Sequence, residues 1–111
     1  LLQLNHVHHT TLLQFVSEGG NQQSRTYTDL VAKVERGATA GVKAASELGE
    51  KEALAIAKYR LAQASMLGGR LIEAMEVNDE SLGLFREAGD KLSEASCLSV
   101  KCQLLQLFGR L

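Results

Sequence analysis

The chain has 111 residues, of which 45% are hydrophobic and 23% charged, with a formal charge of −1. That is ordinary for one folded domain with a modest core; there is no basic excess to neutralise phosphates, and no apolar run approaches the roughly 18–20 residues that span a bilayer. Proline and tryptophan are absent and aromatics make up only 5%, so long helices are permitted throughout and an all-β sandwich is disfavoured.

In chain order, residues 1–17 form the first amphipathic pattern. Leu1, Leu4, His8, Leu12 and Phe15 recur at helical spacing, with Leu2, Leu13 and Val16 widening the apolar side. Residues 17–26 are polar and contain Gly19-Gly20, which predicts a loop. Thr28 then reads as an N-cap, with Asp29 at the positive end of a helix over 28–48. Leu30, Val31, Val34, Val42, Ala45 and Leu48 would be its buried face. Gly37 and Gly41 inside it each cost about 1 kcal/mol relative to Ala, so the helix is expected to bend there or to meet a closely packed neighbour.

Gly49 ends that helix. The next, over 50–67, is rich in Ala, the best helix former, whose small side chain lets another helix come near. Gly68-Gly69 breaks it. Residues 70–88 are again amphipathic, with Leu71, Ala74, Met75, Leu82 and Phe85 on one side, and Gly89 stops them. Asp90 caps a last helix over 90–108, on which Leu98, Cys102, Leu105 and Phe108 are expected to face inward. Short Gly-marked turns make neighbouring helices antiparallel.

The second half of the chain says one thing twice. Moved forty places, Gly49 falls on Gly89, Lys51 on Lys91, Ala55 on Ala95 and Gln63 on Gln103, while Gly69-Arg70-Leu71 falls on Gly109-Arg110-Leu111. There are eight identities in 23 aligned positions, and a period of about 20–50 residues is the signature of a helical solenoid. One hairpin cannot bury its apolar face alone, whereas stacked hairpins can. The chain does not begin with Met and stops at Gly109-Arg110-Leu111, where the previous copy continues into another helix; a piece of a longer protein is therefore expected.

Gly69-Arg70-Leu71-Ile72-Glu73-Ala74 resembles the turn and second-helix start of a tetratricopeptide repeat (TPR), and Leu84 to Asp90 followed by Glu94-Ala95 resembles the 40-residue variant of that repeat. Lys58 stands where that family usually has a large apolar residue, and Gly89 replaces the usual proline. Armadillo and HEAT families carry a blurred version of the same pattern. The TPR resemblance implies an all-α fold of antiparallel helix hairpins stacked as a right-handed α-solenoid. Residues 1–17 and 28–48 would be an atypical first hairpin, 50–67 and 70–88 a second, and 90–108 the first helix of a third. It also implies a concave groove for a partner peptide or helix, lined by Ile56, Tyr59, Gln63 and Met66 in one copy and Ser96, Ser99, Gln103 and Gln106 in the next. Those positions are mostly Tyr, Gln and Ser, with only Arg60 and Lys101 nearby, which speaks against a clamp for a C-terminal carboxylate. A neutral polar groove suits amide hydrogen bonds and partial apolar burial.

No constellation points to catalysis or a cofactor. His6 and His9 share a helix face, but no Cys, Asp or Glu lies beside them to complete the roughly four ligands that zinc takes. Cys97 and Cys102 are five apart, about 140° around a helix, so they cannot pair with each other; they read as small packing residues and favour a reducing, intracellular compartment. Glu73, Glu76, Asp79 and Glu80 make an acidic side on one helix, with no His, Arg or Gly-rich loop converging on them, and read as a solvated face. The expected function is a non-enzymatic protein–protein interaction scaffold, or a structural subunit of a larger assembly. The alternative is a regulatory repeat module of a longer enzyme or signalling ATPase.

Overall fold

The computed structural model describes residues 21–110, and four α-helices account for nearly all of them. Helix α1 runs Asn21–Leu48, α2 Lys51–Leu67, α3 Leu71–Ala88 and α4 Lys91–Gly109. Among the described residues there is no strand, so the described fold is all-α. The helix expected over residues 1–17, with its three histidines, lies outside the described residues. None of the described helices is long and apolar enough to cross a membrane.

Each helix packs chiefly on its neighbours in sequence, and the most extensive pairing is α2 with α3. The turns between them are nearly identical. Gly49, Gly69 and Gly89, each twenty residues from the next, take the left-handed conformation at φ of 73°, 78° and 73°, which only glycine adopts without a Cβ penalty. At the end of α2, Gly69 N–H donates to the Met66 carbonyl (3.1 Å) and Arg70 N–H to that of Ser65 (2.9 Å). At the end of α3, Gly89 N–H donates to Arg86 (3.1 Å) and Asp90 N–H to Phe85 (3.0 Å). This paired closure satisfies the last helical carbonyls and reverses the chain within two residues. Asp90 caps α4 as expected: its carboxylate accepts from the Ser93 N–H (3.1 Å) and from the Ser93 hydroxyl (2.6 Å).

Among the described residues the core has two clusters. Ala55, Leu82, Phe85 and Cys97 form one, and Met66, Ala74, Val100 and Leu104 the other. Between the helices runs a short buried polar chain. The Cys97 thiol of α4 donates to the Ser81 hydroxyl of α3 (3.6 Å), and that hydroxyl donates to the Ala55 carbonyl of α2 (2.7 Å). The Asn78 amide reaches back from α3 to the Cys97 carbonyl (2.9 Å). Asn78, Ser81 and Cys97 are fully buried, so each bond forms away from competing water.

Several expectations change. Helix α1 begins at Asn21 rather than Thr28; the stretch read as loop up to Thr26 is helical from Asn21, and Thr28 is inside the helix, not its cap. Gln, Arg and Ser propagate a helix adequately, so polarity alone does not mark a break there. Of the predicted α1 core face, only Ala45 is buried; Val31 and Val42 are half-buried, and Leu30, Val34 and Leu48 are exposed, because among the described residues α1 packs chiefly against α2. A Cβ at Gly37 or Gly41 would meet nothing within 4 Å, and the helix runs through both. The close approach occurs at Gly68, where a Cβ would stand 3.3 Å from the Val31 side chain and against the Glu35 carboxylate. Gly109 closes α4 as a helical residue and does not repeat the left-handed turn of Gly69. On α4 the buried residues are Cys97, Val100, Gln103 and Leu104. Leu98, Cys102 and Leu105, expected to face inward, are exposed, because α4 is apolar on both sides and only the side toward α3 is covered.

Candidate partner-binding surface

The eight residues that the resemblance places in a groove divide into two groups. Ile56, Ser99 and Gln106 are exposed, and Tyr59, Gln63 and Ser96 are half-buried. These six are accessible from solvent. Met66 and Gln103 are not: each is only 4% exposed. Met66 belongs to the second core cluster, so a partner cannot reach it without opening the α2–α3 pair.

Tyr59 is the best-anchored of the accessible residues. Its ring packs against both core clusters, and its hydroxyl lies 3.5 Å from the Gln63 amide nitrogen, one turn along α2. Burial raises the phenol above its ordinary pKa, so it stays a neutral donor and acceptor at physiological pH. Ile56 stands one turn earlier and is 44% exposed. Together these side chains form a short patch with an apolar base, a fixed aromatic edge and an amide. On α4, Ser96 turns its hydroxyl back to the Leu92 carbonyl (3.3 Å), while Ser99 and Gln106 stand free to solvent.

Gln103 has a different character. It is buried, and neither its amide oxygen nor its amide nitrogen has a hydrogen-bond partner among the described residues. Such a group costs about 1–3 kcal/mol against a paired or apolar one. Nothing in the periodicity distinguishes it from its repeat partner Gln63, which reaches the Tyr59 hydroxyl.

Three of the four carboxylates on the acidic side of α3 are paired. Glu73 lies 3.4 Å from Arg70, Asp79 3.2 Å from Lys101, and Glu80 pairs with Lys58 of α2. The Lys58 pairing also explains a charged residue where the repeat pattern has an apolar one: its stem crosses the α2–α3 seam and its head meets a carboxylate. Between α1 and the α2–α3 turn lies an open cleft of about 390 Å³, bordered by Val31, Ala32, Glu35, Leu67, Gly68 and Gly69. The Glu35 carboxylate there is already paired with Arg70. Among the described residues no group of three or more His, Cys, Asp or Glu is placed to hold a metal ion. The two cysteines differ: Cys97 is buried, with its thiol pKa raised by that burial, whereas Cys102 is exposed and is not the packing residue expected.

Comparisons with protein-family models, with curated proteins and with solved structures each return no match.

Proposed function

We propose that this chain is a non-enzymatic interaction scaffold of the helical-repeat kind, resembling a TPR solenoid, that holds a peptide or helix of a partner protein along α2 and α4. Ile56, Tyr59 and Gln63 of α2 and Ser96, Ser99 and Gln106 of α4 would line the contact. The observation that carries the reading is Tyr59. An aromatic ring immobilised between two core clusters, yet half-open to solvent, loses little entropy on binding and presents both an apolar face and a hydroxyl. The left-handed glycines at Gly49, Gly69 and Gly89 support a repeat architecture, since like turns at equal spacing set successive hairpins in a similar relation. The patch lacks charge, so recognition would rest on shape, partial apolar burial and amide hydrogen bonds rather than on electrostatic steering.

The test is affinity capture from the native source with the wild type and with an Ile56→Glu, Tyr59→Ala double variant of unchanged helicity. A partner held by the first and lost by the second supports the reading; identical lists for both refute the surface.

A further inference from the structure

One side of α1 is basic. Lys33, Arg36 and Lys43 are exposed there, and among the described residues none of the three makes an ion pair. Arg36 and Lys43 border an open cleft of about 490 Å³, together with Thr39 and, at the start of α3, Arg70. The carboxylate in that cleft, Glu35, is paired with Arg70, which also lies 3.4 Å from Glu73. The cleft therefore keeps two uncompensated cations, and Lys33 stands one turn from Arg36 on the helix surface.

The forty-residue repeat shows why this side stays open. Moved forward forty places, Lys33, Arg36 and Lys43 fall on Glu73, Glu76 and Gly83 of α3. Those residues are exposed as well, although α3 packs on both α2 and α4. Helix α2 takes a different side of α3, that of the buried Ala74 and Ser81, with the Ser81 hydroxyl on the Ala55 carbonyl. The equivalents of Ala74 and Ser81 on α1 are Val34 and Gly41. A segment preceding α1 in the place that α2 holds before α3 would therefore cover the apolar side and leave the basic side open. Residues 1–20 also carry one carboxylate, Glu18, which is too few to neutralise three cations.

The repeat thus keeps the position and reverses the sign. On α3 the carboxylates are largely satisfied within the molecule, Glu73 by Arg70, Asp79 by Lys101 and Glu80 by Lys58. On α1 the cations have no such partners, so the charge they call for must come from outside. Arg36 and Lys43 are seven residues apart, two helical turns, which sets them about 10 Å apart along the axis. Three residues of extended chain, at about 3.3 Å each, span the same distance. A broad polyanion fits poorly, because a duplex or an anionic membrane wider than one helix would also meet the carboxylates of α3.

From this unpaired basic cleft we infer that the molecule has a second docking surface, on α1, which takes a short acidic segment of a protein partner. Arg36 and Lys43 would each hold a carboxylate of that segment, at positions three apart in an extended chain, with Lys33 at the edge. The surface does not depend on the Tyr59 patch, which lacks charge and lies on α2 and α4.

The test is fluorescence anisotropy of a labelled oligoglutamate peptide titrated with the full chain at low and at physiological salt. An oligothymidylate of equal charge and phosphatidylserine vesicles are the competing probes. The peptide is expected to bind more tightly than either, and more weakly as salt rises. Arg36→Gln together with Lys43→Gln, both at exposed positions, should weaken it about tenfold. Lys51→Gln together with Lys91→Gln, the same change of charge elsewhere, should leave it unchanged. In the wild type, amide resonances of Arg36, Thr39, Lys43 and Arg70 should shift on adding the peptide while those of Ile56 and Tyr59 stay, which locates the site without a substitution. No peptide binding at low salt, as when another part of the chain already fills the cleft, overturns the inference. So do equal weakening by both pairs of substitutions, shifts confined to Ile56 and Tyr59, and tighter binding of the oligothymidylate or the vesicles.

Discussion

Replacing Gln103 by Met should make the protein more stable. The side chain is 4% exposed, and both polar atoms of its amide lack a partner among the described residues. Leaving a buried polar group unsatisfied costs about 1–3 kcal/mol. Methionine nearly conserves the volume, so the strain of overpacking is small, and a volume-conserving apolar exchange costs under about 1.5 kcal/mol even when the site is not ideal. Because the two amide atoms belong to one group that relaxes as a unit, the expected gain is a single penalty of about 1–3 kcal/mol rather than the sum of two. For a domain of this size each kcal/mol moves the melting temperature by about 4–8 °C. The assay is thermal melting by circular dichroism at 222 nm, repeated in urea to check that the slope of unfolding is unchanged. A melting temperature that falls, with an unchanged slope, would refute the reasoning, for it would show that the amide is bonded in solution and that methionine strands its partner. The same variant should leave partner capture intact, because position 103 is buried rather than on the accessible patch.

Three other outcomes are expected. Ser81→Ala removes the hydroxyl that links α3 to the Ala55 carbonyl and accepts from the Cys97 thiol; a loss of about 1–2 kcal/mol is expected in chemical denaturation, and no loss would mean that the bond is made as well by water. The Asp90 carboxylate is held below its ordinary pKa by the Ser93 hydroxyl and N–H, and Glu94 is held low by its bond to Arg86. A lowered folded-state value means that these contributions are present above the ordinary carboxylate range, at about pH 4, and fade as pH falls through the folded values; Asp90→Ala should flatten the acid limb of the stability curve, and an unchanged limb would contradict the cap. A maleimide added to the native protein should label Cys102 rapidly and Cys97 only on unfolding, read by mass after proteolysis; equal labelling would place Cys97 outside the core.

The sequence showed the helices from Gly49 onward almost to the residue, because glycines at left-handed turns mark helix ends by a steric rule rather than by a statistical preference. It failed at the start of α1, where Asn21, Gln22, Gln23 and Arg25 are polar without being helix breakers. Burial was legible where one side of a helix is apolar and the other is not, as on α3, whose Ala74, Leu82 and Phe85 are inside. It was not legible on α4, where Cys97, Val100 and Leu104 compete with Leu98, Cys102 and Leu105 for the same description, and only the position of α3 decides between them. The same ambiguity explains the candidate surface. Tyr59 and Gln63 are half-buried on α2, whereas Gln103, which looks like Gln63 in sequence, is buried. The hydrogen bonds of Asn78 and Ser81 to helix carbonyls on either side left no trace in the periodicity, since their acceptors are backbone atoms that every residue has.

Those bonds have a consequence for how the molecule comes apart. Apolar surfaces tolerate sliding, and two smooth helices lose little when one shifts along the other. A hydroxyl aimed at one carbonyl, and an amide aimed at another, do not tolerate it. Asn78 and Ser81 thus act as detents that lock α2, α3 and α4 at a single axial setting. The corresponding positions of α1 are Ala38 and Gly41, which have no such catch. Unfastening should therefore run from one end, with the amides of α1 exchanging with deuterium well before those of α3, and with the three locked helices releasing together as one cooperative block.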